Sequence, residues 1–236
     1  MGPEQAAGEE GELATIVAAR NEADRIGATV RALRDAFPAA RIWVADDASG
    51  DGTAEAALAA GAEVVSRGRP HGKGANVSAA AEAALSVEAP PRLVLLCDGD
   101  LGASAARLAP LVAAVHRGEC DLAVAAFSRR AGGGFGVALG FARWAIRRRC
   151  GLETRAPISG QRAMRAEVLR AVLPFAPAYG MEVGMTVDAV RAGYKLGEYE
   201  LDLEHRATGK NLAGFAHRAR QLRDFARVYR SRRGRA

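Results

Sequence analysis

The sequence has little cysteine and no long apolar run. Its cysteines, Cys97, Cys120 and Cys150, are odd in number, far apart and never in a CxxC pair, which argues against a disulfide framework and against a zinc site. No apolar stretch approaches the roughly 20 residues that cross a bilayer, and no basic segment followed by an apolar one opens the chain. We therefore expect a cytoplasmic protein, with peripheral contact to a membrane left open.

Lysine is also scarce. Only Lys73, Lys195 and Lys210 among the 33 basic residues are lysines, and the net charge is +6. Such an arginine excess favours anionic partners, either phosphates, phospholipid headgroups or nucleic acid. Few aromatic residues lie among the arginines of the C-terminal segment, so base stacking is disfavoured and we expect no nucleic-acid partner.

Two common nucleotide-binding signatures are absent. No GxGxxG follows the first predicted strand, and "HGKGAN" lacks both the glycine spacing and the Ser or Thr of a Walker loop. These absences argue against an NTPase and against a dinucleotide-dependent dehydrogenase.

Short apolar runs alternate with Ala-rich helical stretches from Glu12 onward, which is typical of βα units and a mostly parallel sheet. The predicted strands are residues 13–19, 41–46, 62–67, 92–98 and 121–127. The predicted helices lie near 22–36, 52–60, 74–87 and 104–117. We expect one α/β domain over 12–236, preceded by a disordered tail at 1–11 and closed by a basic helix at 211–236.

Polar residues follow the first two predicted strands, and ligands of open α/β sheets bind beyond the carboxyl ends of strands. After the first strand, Asn21 can cap the next helix, while Glu22 is either a first-turn acid or a ligand contact. After the second strand, Asp46, Asp47 and Ser49 exceed what a helix cap needs. We expect at least one of the two acids to accept a hydrogen bond from a pyrimidine N–H or a ribose hydroxyl.

Lys73 stands at the start of a predicted helix, where the macrodipole disfavours a cation. Its position indicates a nearby negative charge, either an external anion or a carboxylate of the site.

Asp98 and Asp100 flank a single glycine at the end of the apolar strand "RLVLLCD". In an extended segment, residues i and i+2 project to one side, so the two carboxylates are predicted to converge. Gly99 would leave room for a ligand backbone or sugar. Mg²⁺ and Mn²⁺ prefer such carboxylate ligands together with substrate phosphates. The alternative is an ordinary surface turn, because Asp-Gly is a common turn dipeptide.

These segments together resemble a known family. "TIVAARNEADRI", "VADDASGDGT", "HGKGANVSAA" and "LLCDGDL" are similar, in order and spacing, to the motifs of family-two-like glycosyltransferases with the GT-A fold. The resemblance implies a Rossmann-like, mostly parallel sheet flanked by helices, a UDP- or GDP-sugar donor, and Mg²⁺ or Mn²⁺ as cofactor. Residues 12–130 would form the nucleotide-sugar half, and residues 131–210 would complete the metal and acceptor sites.

The resemblance also implies roles for individual residues. Ala18, Ala19 and Glu22 would line the base and ribose, although Arg20 replaces an aromatic residue of the family there. The remaining donor-side contacts would come from Asp46, Asp47, Ser49, Lys73, Asp98 and Gly99. The metal would be bound by Asp98 and Asp100, and Asp100 would thereby be catalytic.

The segment 174–221 is similar to the closing region of glucosyl-3-phosphoglycerate synthases. That resemblance implies that His205 is a third metal ligand or a diphosphate contact, the alternative being an exposed bystander. Arg206 could assist at the diphosphate. Glu182 is the candidate general base of an inverting enzyme, or it would position sugar or acceptor in a retaining one.

The acceptor side departs from those synthases. Phe135 and Val137 stand where the family has Arg and Thr after its glycine run, in which Gly134 is a predicted substrate contact, and Ala207 replaces an Asn. We therefore expect an acceptor other than 3-phosphoglycerate, still unidentified. A homodimer stays open.

Two alternatives remain. Polyprenyl-phosphate glycosyltransferases share the front half and an "SGxR" segment, matched by "SGQR" at 159–162. In that case residues 135–146 could form an apolar lip at a membrane, although we favour a core helix with a basic end. A nucleotide-sugar pyrophosphorylase has a similar sheet, but its Gly-rich phosphate loop is absent.

Overall fold

One mixed sheet forms the centre of the computed structural model, which describes residues 12–127, 136–203 and 212–232. Its strands are β1 (Leu13–Ala19), β2 (Arg41–Asp46), β3 (Glu63–Ser66), β4 (Leu93–Asp98), β5 (Leu122–Phe127), β6 (Arg162–Arg165) and β7 (Leu196–Leu201). They lie in the order β3-β2-β1-β4-β6-β5-β7. Neighbouring strands are parallel except where β6 pairs with β4 and β5. The predicted α/β, mostly parallel sheet is confirmed.

Helices cover the sheet. They are α1 (Ile26–Ala36), α2 (Thr53–Ala59), α3 (Lys73–Leu85), α4 (Ala109–His116), α5 (Gly136–Cys150), α6 (Ala166–Val172), α7 (Met181–Arg191) and α8 (Leu212–Ser231), with 3-10 segments at Gly99–Leu108 and Ala178–Gly180. Among these described helices, none combines the length and the apolar character that a membrane span requires.

Apolar side chains are buried on both faces of the sheet. On one face Val17 and Leu95 belong to a cluster with Val30 of α1. On the other face Ile16 and Leu96 belong to a cluster with Val77 of α3, Leu169 of α6 and Met185 of α7. Burial on both faces explains why the central strands read as continuous apolar runs rather than as alternating patterns.

A smaller core joins α5, α7 and α8. Ala142 and Ile146 of α5 pack there with Phe225 and Val228 of α8. A Cβ on Gly180, just before α7, would lie 2.4 Å from a Val228 methyl, so this glycine permits the close approach of α8. The α5 segment is therefore a core helix with a basic end, as favoured, although Val137 (75%) and Trp144 (44%) are exposed.

Two local expectations are wrong. The first helix begins at Ile26 and Asn21 does not cap it. Instead Asn21 has a φ of 54°, and its Oδ1 accepts a hydrogen bond from the Gly50 N–H. The short strand β6 was not predicted. The tail at 1–11 lies outside the described residues, and the division of the chain at 130 and 210 stays a prediction.

Candidate active site

Two loops meet beyond the carboxyl ends of β1 and β2. Consecutive backbone N–H groups of the first loop donate to side chains of the second, in the pairs Asn21 to Ser49 (2.9 Å), Glu22 to Thr53 (2.9 Å) and Ala23 to Asp51 (3.1 Å). These three hydrogen bonds hold Glu22 close to the turn that follows β2.

Asp46 is buried and holds that turn together. Its carboxylate accepts hydrogen bonds from the backbone N–H and the hydroxyl of Ser49 and, over 3.0 Å, from the hydroxyl of Ser66. Asp46 and Ser49 thus have protein partners, and their contact with a ligand stays a prediction.

Asp47 organises the loop that precedes α3. Its carboxylate accepts hydrogen bonds from the backbone N–H groups of His71 (2.7 Å) and Gly72 (3.1 Å) and from the amide of Asn76. The exposed Arg20 approaches it to 3.5 Å. Because these donors belong to the residues around Lys73, Asp47 sets the position of the α3 N-terminus.

Lys73 is the first residue of α3 and binds two carboxylates. Its Nζ lies 2.6 Å from Asp98 Oδ1 and 2.9 Å from Glu182 Oε1. Burial alone would lower the pKa of Lys73, but the charges of Asp98 and Glu182 outweigh it and hold the pKa above its usual value. The sequence indicated either an external anion or a carboxylate of the site as the partner of Lys73. In the structure its partners are carboxylates of the site.

The Asp98–Asp100 segment differs from its expected geometry. β4 ends at Asp98 and a 3-10 segment begins at Gly99, so the extended-chain reason for convergence of the two acids is wrong. The two acids nevertheless share one neighbour, the Cys97 thiol. Burial raises the pKa of this thiol most, and the negative charges of Asp98 and Asp100 raise it further. The Asp100 carbonyl accepts a hydrogen bond from Arg25 Nη1 over 3.0 Å.

Gly99 packs closely against the end of β1. A Cβ there would lie 3.2 Å from the Ala18 carbonyl oxygen and 3.3 Å from Ala19 Cβ. Contact of Gly99 with a ligand stays a prediction. Ala18 and Ala19 border the same junction of β1 and β4.

Glu182 lies in the first turn of α7, where the helix macrodipole favours a carboxylate. Glu182 is buried, and its Oε1 accepts a hydrogen bond from Lys73 Nζ. Among the side chains that the structure describes, no group of three or more from His, Cys, Asp or Glu is arranged to hold a metal ion. His205, Arg206 and Gly134 lie outside the described residues.

Sequence reasoning missed Gly160 and Gln161 as parts of this site. Gln161 is buried and its Nε2 donates to Asp98 Oδ2 over 2.8 Å. A Cβ on Gly160 would lie 2.6 Å from Lys73 Nζ and 2.8 Å from Asp98 Oδ2, so no side chain fits there without displacing the ion pair. The only sequence signal was the "SGQR" segment, whose position next to β4 depends on the tertiary fold.

The family model for glycosyl transferase family 2 matches residues 15–173 of this chain, which are the residues that carry most of the site. The chain belongs to glycosyl transferase family 2. Its enzyme class, the glycosyltransferases, and its GT-A fold are as the sequence predicted. Family membership also favours glycosyl transfer over the pyrophosphorylase alternative.

Solved structures agree with this assignment. A mycobacterial protein is 28% identical with a TM-score of 0.77, and the match covers 98% of this chain and 77% of that chain. Glucosyl-3-phosphoglycerate synthase from Mycobacterium tuberculosis, in complex with Mn²⁺, UDP-glucose and glycerol 3-phosphate, is 25% identical with a TM-score of 0.74 and coverages of 98% and 82%.

The same synthase in complex with Mg²⁺ and UDP is 25% identical, has a TM-score of 0.76, and is matched over 98% of this chain and 83% of that chain. A comparison with curated protein sequences found no match. The resemblance to polyprenyl-phosphate glycosyltransferases stays a prediction.

Proposed function

We propose that this glycosyltransferase moves a sugar from a UDP-sugar, with the help of Mg²⁺ or Mn²⁺, to an acceptor other than 3-phosphoglycerate. The observation that carries the proposal is the cluster of Lys73, Asp98 and Glu182 beyond the carboxyl ends of the parallel strands. The similar synthase structures, which contain UDP-glucose and Mn²⁺ or UDP and Mg²⁺, support the choice of donor and metal.

The chemistry of the donor set fits a hard divalent ion. Asp98 and Asp100 offer carboxylate oxygens, and Mg²⁺ and Mn²⁺ commonly combine one or two carboxylates with substrate phosphates and water. His205 would complete the set. When bound, the ion supplies Lewis-acid stabilisation of the negative charge on the departing diphosphate.

Lys73 supports the same departure with its own charge. Its Nζ donates to Asp98 Oδ1 over 2.6 Å, which places a fixed cation next to the carboxylates. A preorganised cation is worth most where negative charge develops during the reaction. We assign Lys73, with Arg206, to the diphosphate side of the donor.

The base and ribose of the donor are assigned to the loops after β1 and β2. Ala18, Ala19 and Glu22 form the edge nearest the β1–β4 junction, which also contains Gly99. Asp46, Asp47 and Ser49 have protein donors, but a carboxylate has about four lone-pair sites and can accept a further hydrogen bond from a pyrimidine N–H. Gly134 is assigned to the acceptor side.

Glu182 is the acid assigned to the acceptor step. Its Oε1 accepts a hydrogen bond from Lys73 Nζ, which holds the carboxylate in one orientation, and a general base must be positioned within reach of the proton it removes. In an inverting reaction Glu182 takes the proton of the acceptor hydroxyl, and in a retaining reaction it orients the sugar or the acceptor.

The acceptor proposal depends on two apolar residues that stand where the similar synthases have Arg and Thr. Val137, in place of the threonine, is 75% exposed. Phe135, in place of the arginine, lies outside the described residues and cannot supply the cationic hydrogen-bonding partner of an anion. An anionic acceptor left without that hydrogen-bonding partner would lose about 2 kcal/mol of binding free energy. This favours an acceptor that carries no phosphate at that point.

The test is binding of UDP-, GDP- and ADP-glucose to the purified protein by calorimetry, with and without Mn²⁺, followed by assay of slow donor hydrolysis. We expect Mn²⁺-dependent binding of UDP-glucose. If no nucleotide sugar binds in the presence of metal, or if Asp100→Ala binds UDP-glucose as tightly as the wild type, the proposal is wrong.

Transfer to a lipid-linked phosphate is a second candidate. The observation in its favour is the outer surface of α5, where the exposed Val137 and Trp144 lie among the exposed Arg143, Arg147 and Arg148. Exposed apolar and basic side chains on one helix are typical of contact with an anionic membrane surface. Flotation with liposomes that contain or lack polyprenyl phosphate distinguishes the two candidates.

A further inference from the structure

Arg162, in β6, is a fully buried cation with an incomplete set of partners. It is 1% exposed. Its Nε donates to the Ser159 carbonyl oxygen (2.8 Å) and its Nη1 to Thr186 Oγ1 (2.9 Å), while its Nη2 makes no hydrogen bond within the described part of the chain. Burial lowers the pKa of Arg162 to about 10, against the opposing charges of Glu182 and Glu198, so the guanidinium is charged at neutral pH.

One set of contacts leads from Arg162 to Asp98. The Ser159 residue that accepts from Arg162 Nε also donates, through its hydroxyl, to Gln161 Oε1 over 3.2 Å. Gln161 Nε2 in turn donates to Asp98 Oδ2. The turn between them passes directly against the ion pair, because Gly160 has no space for a Cβ beside Lys73.

A second set of contacts leads from Arg162 to Glu182. Thr186 Oγ1 accepts from Arg162 and donates to the Glu182 carbonyl oxygen over 2.9 Å, one helical turn back in α7. Lys73 then joins the Glu182 and Asp98 side chains. The two sets of contacts therefore form a closed network. It runs from Arg162 through the Ser159–Gln161 turn to Asp98, and from Asp98 through Lys73 to Glu182. Thr186 then connects Glu182 back to Arg162.

We propose that Arg162 is a positioning residue that orients Asp98 through the Ser159–Gln161 turn and Glu182 through Thr186. The proposal rests on the proposed function, which places both carboxylates in the site. A buried arginine with a free donor is not the most stable filling of a core position, since apolar residues of similar volume are often neutral or stabilising there. Orientation of two acids from different elements is a function that an apolar residue could not perform.

The variants separate the two sets of contacts. Gln161→Met removes the donor to Asp98, and Thr186→Val removes the hydroxyl that donates to the Glu182 carbonyl oxygen. Arg162→Met removes the hydrogen bonds to both Ser159 and Thr186 and fills the space with an apolar side chain. Arg162→Lys retains the charge. The matched control is Arg165→Met, the same substitution in the same strand, at a side chain that is 41% exposed and pairs with Asp121 and Glu167.

The measurements are the affinity for UDP in the presence of Mn²⁺, which reports on Asp98, and the kcat of UDP-glucose hydrolysis, which reports on Glu182. We expect Gln161→Met to weaken UDP binding and Thr186→Val to lower kcat without changing the KM for UDP-glucose. Arg162→Met should do both by about tenfold or more, and Arg162→Lys should recover part of each loss. Adding Thr186→Val to Arg162→Met should lower kcat no further, because the connection is already broken.

The outcomes distinguish failure of the proposed function from failure of the inference about Arg162 alone. A wild-type protein that binds no UDP with Mn²⁺ overturns the proposed function and this inference with it. If the wild type and Arg165→Met bind and turn over while Arg162→Met matches them, the inference alone is overturned. Fully additive losses in the double variant also overturn it. If Arg162→Met does not fold, wild-type values in both Gln161→Met and Thr186→Val overturn the inference.

Discussion

Lys73 and Glu182 are joined by a 2.9 Å ion pair although 109 residues separate them in the chain. Lys73 begins the helix after β3, and Glu182 lies in the first turn of α7, in the second half of the protein. The contact therefore couples the nucleotide-side loops to the element assigned to the acceptor. An active site that is assembled this way depends on the relative placement of two distant segments.

Replacing Lys73 by Met should remove activity and stability together. Asp98 and Glu182 would lose a shared partner, and an unsatisfied, largely buried carboxylate costs about 1–3 kcal/mol. We expect a lower free energy of urea unfolding at neutral pH and a loss of UDP-glucose hydrolysis of about a hundredfold or more. The exposed Lys195→Met is the control, and equal effects of the two substitutions would contradict the role of Lys73 in the site.

Gly160→Ala tests how tightly the ion pair is enclosed. The added Cβ would meet Lys73 Nζ at 2.6 Å and Asp98 Oδ2 at 2.8 Å, so the pair must move. We expect a fall in kcat of about tenfold or more, since displacing catalytic groups by a fraction of an ångström is costly. Gly140→Ala in α5 is the control, because a Cβ there meets no atom within 4 Å.

In that control, the exposed helical glycine should raise stability by about 0.5–1 kcal/mol and leave kcat unchanged. Steady-state hydrolysis of UDP-glucose and thermal unfolding of both variants provide the comparison. Normal kcat in Gly160→Ala would show that the Lys73–Asp98 pair can relax without functional loss.

The first five strands could be predicted from sequence within one residue. β1, β2, β4 and β5 are buried on both faces and read as apolar runs, whereas β3 is a short edge strand without a buried residue. β6 could not be predicted, since "RAMR" begins and ends with arginine and is a strand only through its pairing with β4 and β5. Tertiary pairing overrides local propensity in such a short segment. Similarly, no local pattern indicates that Asp98 is followed by a 3-10 segment.

The edge of the sheet on which the site lies was predictable for a simple reason: the carboxyl ends of parallel strands meet there. Which acid contacts which donor was not. Asp47 was one of two candidate ligand contacts, and its carboxylate also accepts hydrogen bonds from residues 24 and more positions away along the chain. Sequence alone does not rank a distant backbone N–H against a ligand as the partner of a buried carboxylate.

Asp47→Ala should loosen the loop before Lys73. The backbone donors of His71 and Gly72 would lose their acceptor, and the free energy of unfolding should fall by about 2 kcal/mol. Hydrogen exchange of residues 67–73 should accelerate, and UDP affinity should fall because Lys73 is no longer held in place. Asp35→Ala, at an exposed position of α1, is the control. Unchanged exchange in this loop would contradict the assignment.

Glu198 in β7 provides a pH-dependent test away from the ion pair. Burial alone would raise the pKa of Glu198, but hydrogen bonds from the Thr154 hydroxyl and from the backbone N–H groups of Arg155 and Ala156 outweigh it and lower the pKa below its usual value of 4.5. Because the folded-state pKa is depressed, the stabilisation is present above pH 4.5 and is lost as the pH falls through the folded-state value.

Glu198→Gln should therefore be less stable than the wild type at neutral pH, with the difference shrinking steadily once the pH drops below 4.5. Urea unfolding of both proteins across this range measures the difference, and Glu200→Gln, at an exposed position of the same strand, corrects for the general effect of acid. Since Glu198 anchors the segment that leads into Ser159 and Gln161, the same substitution should also weaken Mn²⁺-dependent UDP binding. A stability difference that stays constant down to low pH would mean that the carboxylate charge does not hold this loop.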